Sequence, residues 1–186
     1  MYNELDEQAL ARACSQRDRL AEEELYRRYA ARVYALCRRY LGDEEEAKDL
    51  MLESLVRALD KIGDYHYQGQ GSLYAWISRI AVHKTINQIR RRRWRTVSLD
   101  FRAGADIPDP TEQEMEAVPT EKLREWITEL PEMRRAVFNL YCIEGCSHKE
   151  IGKMLGISEK GSTSMLAKAR KQLKEKIREY LKEQDR

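Results

Sequence analysis

Two groups of side chains in this 186-residue sequence have the chemistry of nucleic-acid contacts. Residues 76–95 hold seven basic side chains and no acidic one, and the group begins with the aromatic Trp76. Residues 133–186 hold 13 basic and seven acidic side chains. Cations bind phosphates, and aromatic rings stack on unpaired bases. Both groups therefore predict binding to a polyanion, although the whole chain has a net charge of only +2.

The C-terminal basic group lies on a pattern typical of a helix-turn-helix. Residues 147–150 (Ser-His-Lys-Glu) form a capping box that opens a short helix, Gly156 lies in a turn, and Ser158 caps a second helix. Gly152 is small enough for the two helices to approach closely. The alternative is a helical hairpin with a solvated basic face. The outward side chains of the second helix can donate to phosphates or base edges, and they are Lys160, Thr163, Ser164, Lys168 and Lys171.

The first basic group follows a glycine-rich loop over residues 64–71 that contains Tyr65 and Tyr67. Ser72 is predicted to cap a long helix after this loop. Interleaved aromatic and basic residues suit a single strand, where stacking is worth ~1–3 kcal/mol per base. The alternative is that Trp76 is a core residue and that Arg90–Arg93 is a solvated helix end at its favourable pole.

Apolar spacing predicts an all-α protein of two small helical domains. A short helix is expected near residues 5–14, a second from a cap at Asp18 to Gly42, and a third from a cap at Asp43 to Gly63. After the long helix, residues 96–118 hold two of the four prolines and an excess of acid, which indicates a linker. Helices are then predicted from a cap at Thr120 and from Pro131 to about residue 143. The domains are expected at 1–95 and 119–186.

The third predicted helix has a long apolar face and a charged opposite face. That charged face is either simply solvated or a docking surface, and composition does not choose between the two. Its members are Lys48, Asp49, Glu53, Arg57 and Asp60.

Several classes of protein are disfavoured. Uncharged runs are far shorter than the ~20 apolar residues of a membrane span, and the N terminus has no pattern of a secretory signal. Four scattered cysteines indicate reduced thiols in a cytosolic protein. Cys142 and Cys146 are expected on one helical face near His148, but they lack the further ligands of a zinc site. We find no nucleophile elbow, phosphate loop or carboxylate pair, so we expect neither an enzyme nor a cofactor or metal.

Three blocks of sequence resemble the extracytoplasmic-function (group IV) sigma factors of bacterial RNA polymerase. The first block comprises residues 25–29 (Leu-Tyr-Arg-Arg-Tyr) and 47–55 and is similar to helices that dock on polymerase. Residues 73–81, followed by Asn87 and Arg90, resemble the helix that melts the minus-ten element. Leu130-Pro131, residues 147–159 and residues 168–173 resemble the domain that reads the minus-thirty-five element. The resemblance covers nearly the whole chain.

The resemblance implies a role for each surface. The loop at 64–72 would hold a flipped base, the acidic linker would thread toward the polymerase active site, and an anti-sigma factor is expected as a partner. Docking on the polymerase is expected from Asp49, Leu52, Glu53 and Arg57. Contacts to the melted minus-ten strand are expected from Tyr65, Tyr67, Trp76, Arg79, His83, Lys84, Asn87, Arg90 and Arg91. Contacts to the minus-thirty-five duplex are expected from Ser158, Lys160, Thr163, Ser164, Lys168, Arg170 and Lys171.

Two other classes compete with a promoter-directing factor. A helix-turn-helix repressor or activator would not dock on polymerase and would carry a ligand pocket or a dimerisation heptad, neither of which is visible. A helical interaction protein without DNA leaves the alternation of charge along the chain unexplained. Association with core polymerase discriminates among the three.

Overall fold

A computed structural model describes residues 6–93 and 117–184, and within these ranges the chain forms eight α-helices and no β-strand. The predicted all-α class is confirmed. The helices are α1 (Glu7–Ser15), α2 (Arg19–Leu41), α3 (Glu44–Asp60), α4 (Ser72–Arg93), α5 (Thr120–Glu129), α6 (Glu132–Cys142), α7 (His148–Leu155) and α8 (Glu159–Gln184).

The chain divides into two compact units, Met1–Thr85 and Ile86–Arg186, so the division falls within α4. Most of the predicted linker, residues 96–118, lies outside the described residues. Val118 is described and buried, and it packs with Trp126. The end of the predicted linker therefore belongs to the core of the second unit.

The core of the first unit lies where α2 packs along α3. Gly42 ends α2 with a φ of 76°, and the Asp43 carboxylate then accepts a hydrogen bond from the Glu46 N–H to start α3. This short connection folds the two helices together and buries Leu25, Tyr40 and Ala47. Helix α1 packs on α2 and on a 3-10 turn at Ile62–Asp64. The turn places the glycine-rich loop at the start of α4.

The core of the second unit forms on α8, against which α5, α6 and α7 pack. Trp126 of α5 meets Tyr180 of α8 edge to face, with ring centroids 5.8 Å apart. The buried cluster consists of Val118, Trp126, Leu130, Ala169, Leu173 and Ile177. Helix α8 is thus anchored by its C-terminal half, and its N-terminal half is available to the helix-turn-helix.

Three predicted helix boundaries are wrong. Helix α3 ends at Asp60 with Lys61 after it, and Gly63 lies inside the 3-10 turn and does not close the helix. Thr120 is the first residue of α5 and provides no side-chain cap, because Pro119 precedes it and fixes the start. Ser72 is likewise the first residue of α4, and its hydroxyl bonds to the preceding loop.

The two C-terminal thiols do not share a helical face, which corrects the expectation from their spacing. Helix α6 ends at Cys142, so Cys146 lies in the loop that follows. All four cysteines are free, with Cys14 and Cys37 buried. Burial raises the pKa of both buried thiols to about 11, which keeps them protonated and unreactive. Of the helices in the described ranges, none has the length and apolarity of a membrane span.

Candidate functional site

The helix-turn-helix is built from local signals in the sequence. The Glu150 N–H donates to the Ser147 hydroxyl at 3.3 Å, and the Ser147 N–H donates to the Glu150 carboxylate at 2.8 Å, which completes the capping box. Gly156 ends α7 with a φ of 66°. The Ser158 hydroxyl then accepts from the Gly161 N–H at 3.0 Å and starts α8. The predicted capping box, turn and cap are confirmed.

Gly152 sets the distance between the two helices of this motif. A Cβ at this position would lie 2.9 Å from the carbonyl oxygen of Ile157, closer than such atoms approach. The Ile157 N–H donates to the Gly152 carbonyl at 3.0 Å, so backbone meets backbone directly. Only glycine permits this approach.

A layer of aromatic and polar contacts behind the motif was not found from the sequence. The Tyr141 ring stacks on His148, with centroids 4.6 Å apart, and His148 Nδ1 lies 2.9 Å from the buried hydroxyl of Ser162. The Arg170 guanidinium lies 5.7 Å from the Tyr141 ring centroid. These contacts tie the start of α7 to α8. Spacing alone gives no signal of them, because they join three helices.

The predicted contact residues on α8 lie on its N-terminal half and its middle. Ser158 precedes the helix and is exposed. Lys160, Thr163 and Arg170 are exposed, while Ser164, Lys168 and Lys171 are half-buried. An exposed helix face with cations and hydroxyls offers donors to phosphates and base edges.

A second candidate surface begins in the glycine-rich loop. Tyr65 is half-buried against Trp76, with ring centroids 5.7 Å apart and planes tilted by 56°, whereas Tyr67 is 42% exposed. Trp76 is itself half-buried, so it is neither a full core residue nor a free stacking platform. Burial raises the pKa of Tyr65, which keeps its phenol protonated.

The surface continues along α4. Arg79, His83, Asn87 and Arg90 recur every three or four residues, which places them on one face, and all four are exposed, as is Arg91. Arg90 Nη2 donates to Asn87 Oδ1 at 3.1 Å. Lys84 differs from this set, because it is half-buried and bound to Glu53 of α3.

The third surface is the exposed face of α3. Asp49, Glu53 and Arg57 are all exposed, as predicted. Leu52 is 46% exposed and Val56 is 59% exposed, and they lie four residues apart on the same face. Val56 was missed in the sequence because one apolar residue beside an apolar stripe reads as core. This surface is therefore apolar at its centre and charged around it, as protein interfaces are.

Two family models match the chain over these surfaces. Sigma-70 region 2 matches residues 25–95 and Sigma-70, region 4 matches residues 120–173. The chain therefore belongs to the sigma-70 family of RNA polymerase sigma factors, which are transcription initiation factors and not enzymes.

Within that family, curated relatives place the chain in the extracytoplasmic-function (ECF) group. It is 30% identical to the ECF RNA polymerase sigma factor SigE of Mycolicibacterium smegmatis, over 87% of this chain and 63% of that protein. It thus spans less than two thirds of that relative. It is 27% identical to the ECF RNA polymerase sigma-E factor of Haemophilus influenzae, over 95% of this chain and 98% of that protein.

Among solved structures, the chain is similar to the sigma factor RpoE of Bartonella quintana, determined in complex with the anti-sigma factor NepR. The TM-score is 0.47 and the identity 16%, over 82% of this chain and 94% of that one.

Proposed function

We propose that this chain binds bacterial core RNA polymerase, directs it to promoters and opens the minus-ten element. One observation carries the proposal. A single chain combines a helix-turn-helix with a separate helix, α4, whose exposed polar face begins at the Tyr65–Trp76 pair. The first suits duplex DNA and the second suits an unpaired strand. A protein that recognises both forms of DNA is suited to opening a duplex at a chosen place.

In this proposal the two halves of the chain divide the work. Residues 1–95 dock on polymerase and capture the melted minus-ten strand, residues 96–118 form the linker, and residues 119–186 bind the minus-thirty-five element. Docking falls to the face of α3 that presents Asp49, Leu52, Glu53 and Arg57. The apolar centre of that face gives it area to bury, and the charges give it orientation.

The DNA contacts follow from exposure and chemistry. The exposed cations of α4 follow the phosphates of the melted strand, while the loop at 64–72 receives a flipped base beside its aromatic rings. The strand-binding set is Tyr65, Tyr67, Trp76, Arg79, His83, Lys84, Asn87, Arg90 and Arg91. Helix α8 enters the major groove with Ser158, Lys160, Thr163, Ser164, Lys168, Arg170 and Lys171.

Core polymerase, promoter DNA and an anti-sigma factor are the partners that membership of the ECF group implies. Polymerase and promoter DNA meet in the cytoplasm, and we propose that the chain acts there. No cofactor is needed, because binding energy alone opens the duplex.

Copurification with core polymerase, followed by run-off transcription from a promoter near its own gene, tests the proposal. We expect a stable complex and a transcript that core polymerase alone does not give. Tight binding to duplex DNA by the free chain, without any association with core, would instead indicate a helix-turn-helix repressor or activator.

A further inference from the structure

The start of α4 is held by a carboxylate of α1, which lies 66 residues earlier in the sequence. The Leu73 N–H, in the first turn of α4, donates to Glu7 Oε2 at 3.1 Å. The other oxygen, Glu7 Oε1, accepts from the Tyr29 hydroxyl at 3.1 Å. The first N–H groups of a helix lack partners within it, and negative charge is favoured there. Glu7 supplies both a partner and a charge.

The nearest local cap is occupied elsewhere. The Ser72 hydroxyl donates to the Gly69 carbonyl at 2.6 Å and accepts from the Gln68 N–H at 3.2 Å. Its single proton is thereby used, so the Tyr65 hydroxyl, 2.6 Å away, is the donor to Ser72. Ser72 therefore fixes the loop, and the adjacent Leu73 is left for Glu7.

Tyr29 holds the Glu7 carboxylate in place. Tyr29 is buried, and this burial is the main cause that raises the pKa of its phenol, with the charge of Glu7 second. The hydroxyl therefore stays protonated and donates to Glu7. Its ring stacks on Tyr74, with centroids 6.2 Å apart, and the Arg32 guanidinium covers Tyr74 at 3.5 Å. Helices α1, α2 and α4 thus meet at the Glu7 side chain.

From these contacts we infer that Glu7 is a positioning residue for the minus-ten step: it fixes the start of α4 and, through the neighbouring Ser72, the loop that receives the flipped base. The inference rests on the proposed function. It adds α1, which lies outside both matched regions, to the machinery that captures the melted strand. Glu7 touches neither DNA nor polymerase in this role.

Amide hydrogen exchange of the full chain tests the contact without any promoter. In Glu7→Ala we expect exchange at Leu73 and across the loop at 65–72 to speed up about tenfold, because a hydrogen bond to a charged group is worth roughly one decade in an equilibrium constant. Glu7→Gln keeps an acceptor oxygen and should fall between Ala and the parent. Gln8→Ala, at the exposed next position of α1, is the matched control. Unchanged exchange at Leu73 in Glu7→Ala would overturn the contact.

Promoter opening tests the role. With saturating core polymerase, the yield of permanganate-reactive thymines in the minus-ten region should fall about tenfold in Glu7→Ala, while core affinity stays within about twofold of the parent. Equal opening by Glu7→Ala and Gln8→Ala would overturn the inference, and so would a parallel loss of core affinity, which would show a general defect of the fold. Absence of opening by the parent holoenzyme would instead refute the proposed function, and the exchange result would still report on the contact.

Discussion

Lys84 Nζ of α4 lies 2.7 Å from Glu53 Oε2 of α3. This ion pair joins a residue that we propose contacts the melted strand to one that we propose contacts polymerase. If polymerase engages Glu53 as proposed, Lys84 would lose this partner and become available to phosphate. Docking on core and binding of the strand would then favour each other.

Neutralising Glu53 should strengthen strand binding by the free chain. We expect Glu53→Gln to raise affinity for a single-stranded oligonucleotide two- to threefold at low salt, since an exposed pair is worth up to about 1 kcal/mol. Fluorescence anisotropy at several salt concentrations measures it. Glu23→Gln makes the same charge change in a pair confined to α2 with Arg19. An equal gain in both variants would mean that net charge alone is responsible.

Val56 should contribute to polymerase docking. Val56→Ser removes apolar area that is now exposed, so we expect about fivefold weaker binding to core with little change in the free energy of unfolding. Leu20→Ser is the matched control, because Leu20 is 58% exposed and Val56 59%. Biolayer interferometry with immobilised core gives both affinities. Equal losses in the two variants would contradict a specific surface on α3.

Removing single charges should separate the two binding steps. Lys168→Ala is expected to weaken binding to promoter duplex and to reduce its salt dependence by about one counterion, since one phosphate contact is lost. Asp49→Ala is expected to weaken association with core. Each variant is measured in both assays, so each serves as the control for the other. Unchanged core affinity in Asp49→Ala would remove that residue from the interface.

Gly152 should not tolerate a methyl group. Gly152→Ala forces a Cβ toward the Ile157 carbonyl, and overpacking of this kind costs about 1–3 kcal/mol. Chemical denaturation measures the loss. Gly63→Ala is the control, because a Cβ there meets no atom within 4 Å and φ is not positive. A fully stable Gly152→Ala would show that α7 and α8 can shift apart.

The capping box should make the helix-turn-helix sensitive to acid. The hydrogen bond from the Ser147 hydroxyl lowers the pKa of Glu150 most, and the hydrogen bond from the Ser147 backbone N–H lowers it further. A lowered pKa means that the stabilisation is complete above the ordinary pKa of glutamate and is lost as the pH falls through the lowered value. The difference in free energy of unfolding between the parent and Glu150→Gln should therefore shrink with acidification. A difference in the free energy of unfolding that stays constant with pH would exclude Glu150 as the cause of acid sensitivity.

Local signals in the sequence predict local structure well here. Asp18, Asp43, Ser147 and Ser158 were each predicted as caps, and each accepts a backbone hydrogen bond within its own first turn. The prediction that Ser72 caps α4 was wrong, because the acceptor at the start of this helix comes from Glu7, far away in the sequence. No pattern of neighbouring residues encodes such a contact.

The predicted site residues were chosen by chemistry and spacing, which do not reveal how helices pack on one another. The pairing of Lys84 with Glu53, and the stack of Tyr141 on His148, each join residues of different helices. Trp76 shows the same limit, since its spacing indicates a core role, its basic neighbours indicate a stacking role, and it is half-buried.

Helices α5 and α6 each follow a proline and have no side-chain cap, whereas α7 opens on a titratable carboxylate. The fixed backbone angle of proline has no protonation state, so the contribution of proline to the starts of α5 and α6 does not change with pH. The start of α7 therefore depends on a hydrogen-bonded carboxylate that the starts of α5 and α6 do not use as a cap. Because the pKa of Glu150 is lowered from its ordinary value, the start of α7 stays intact near neutral pH and would weaken only in strong acid.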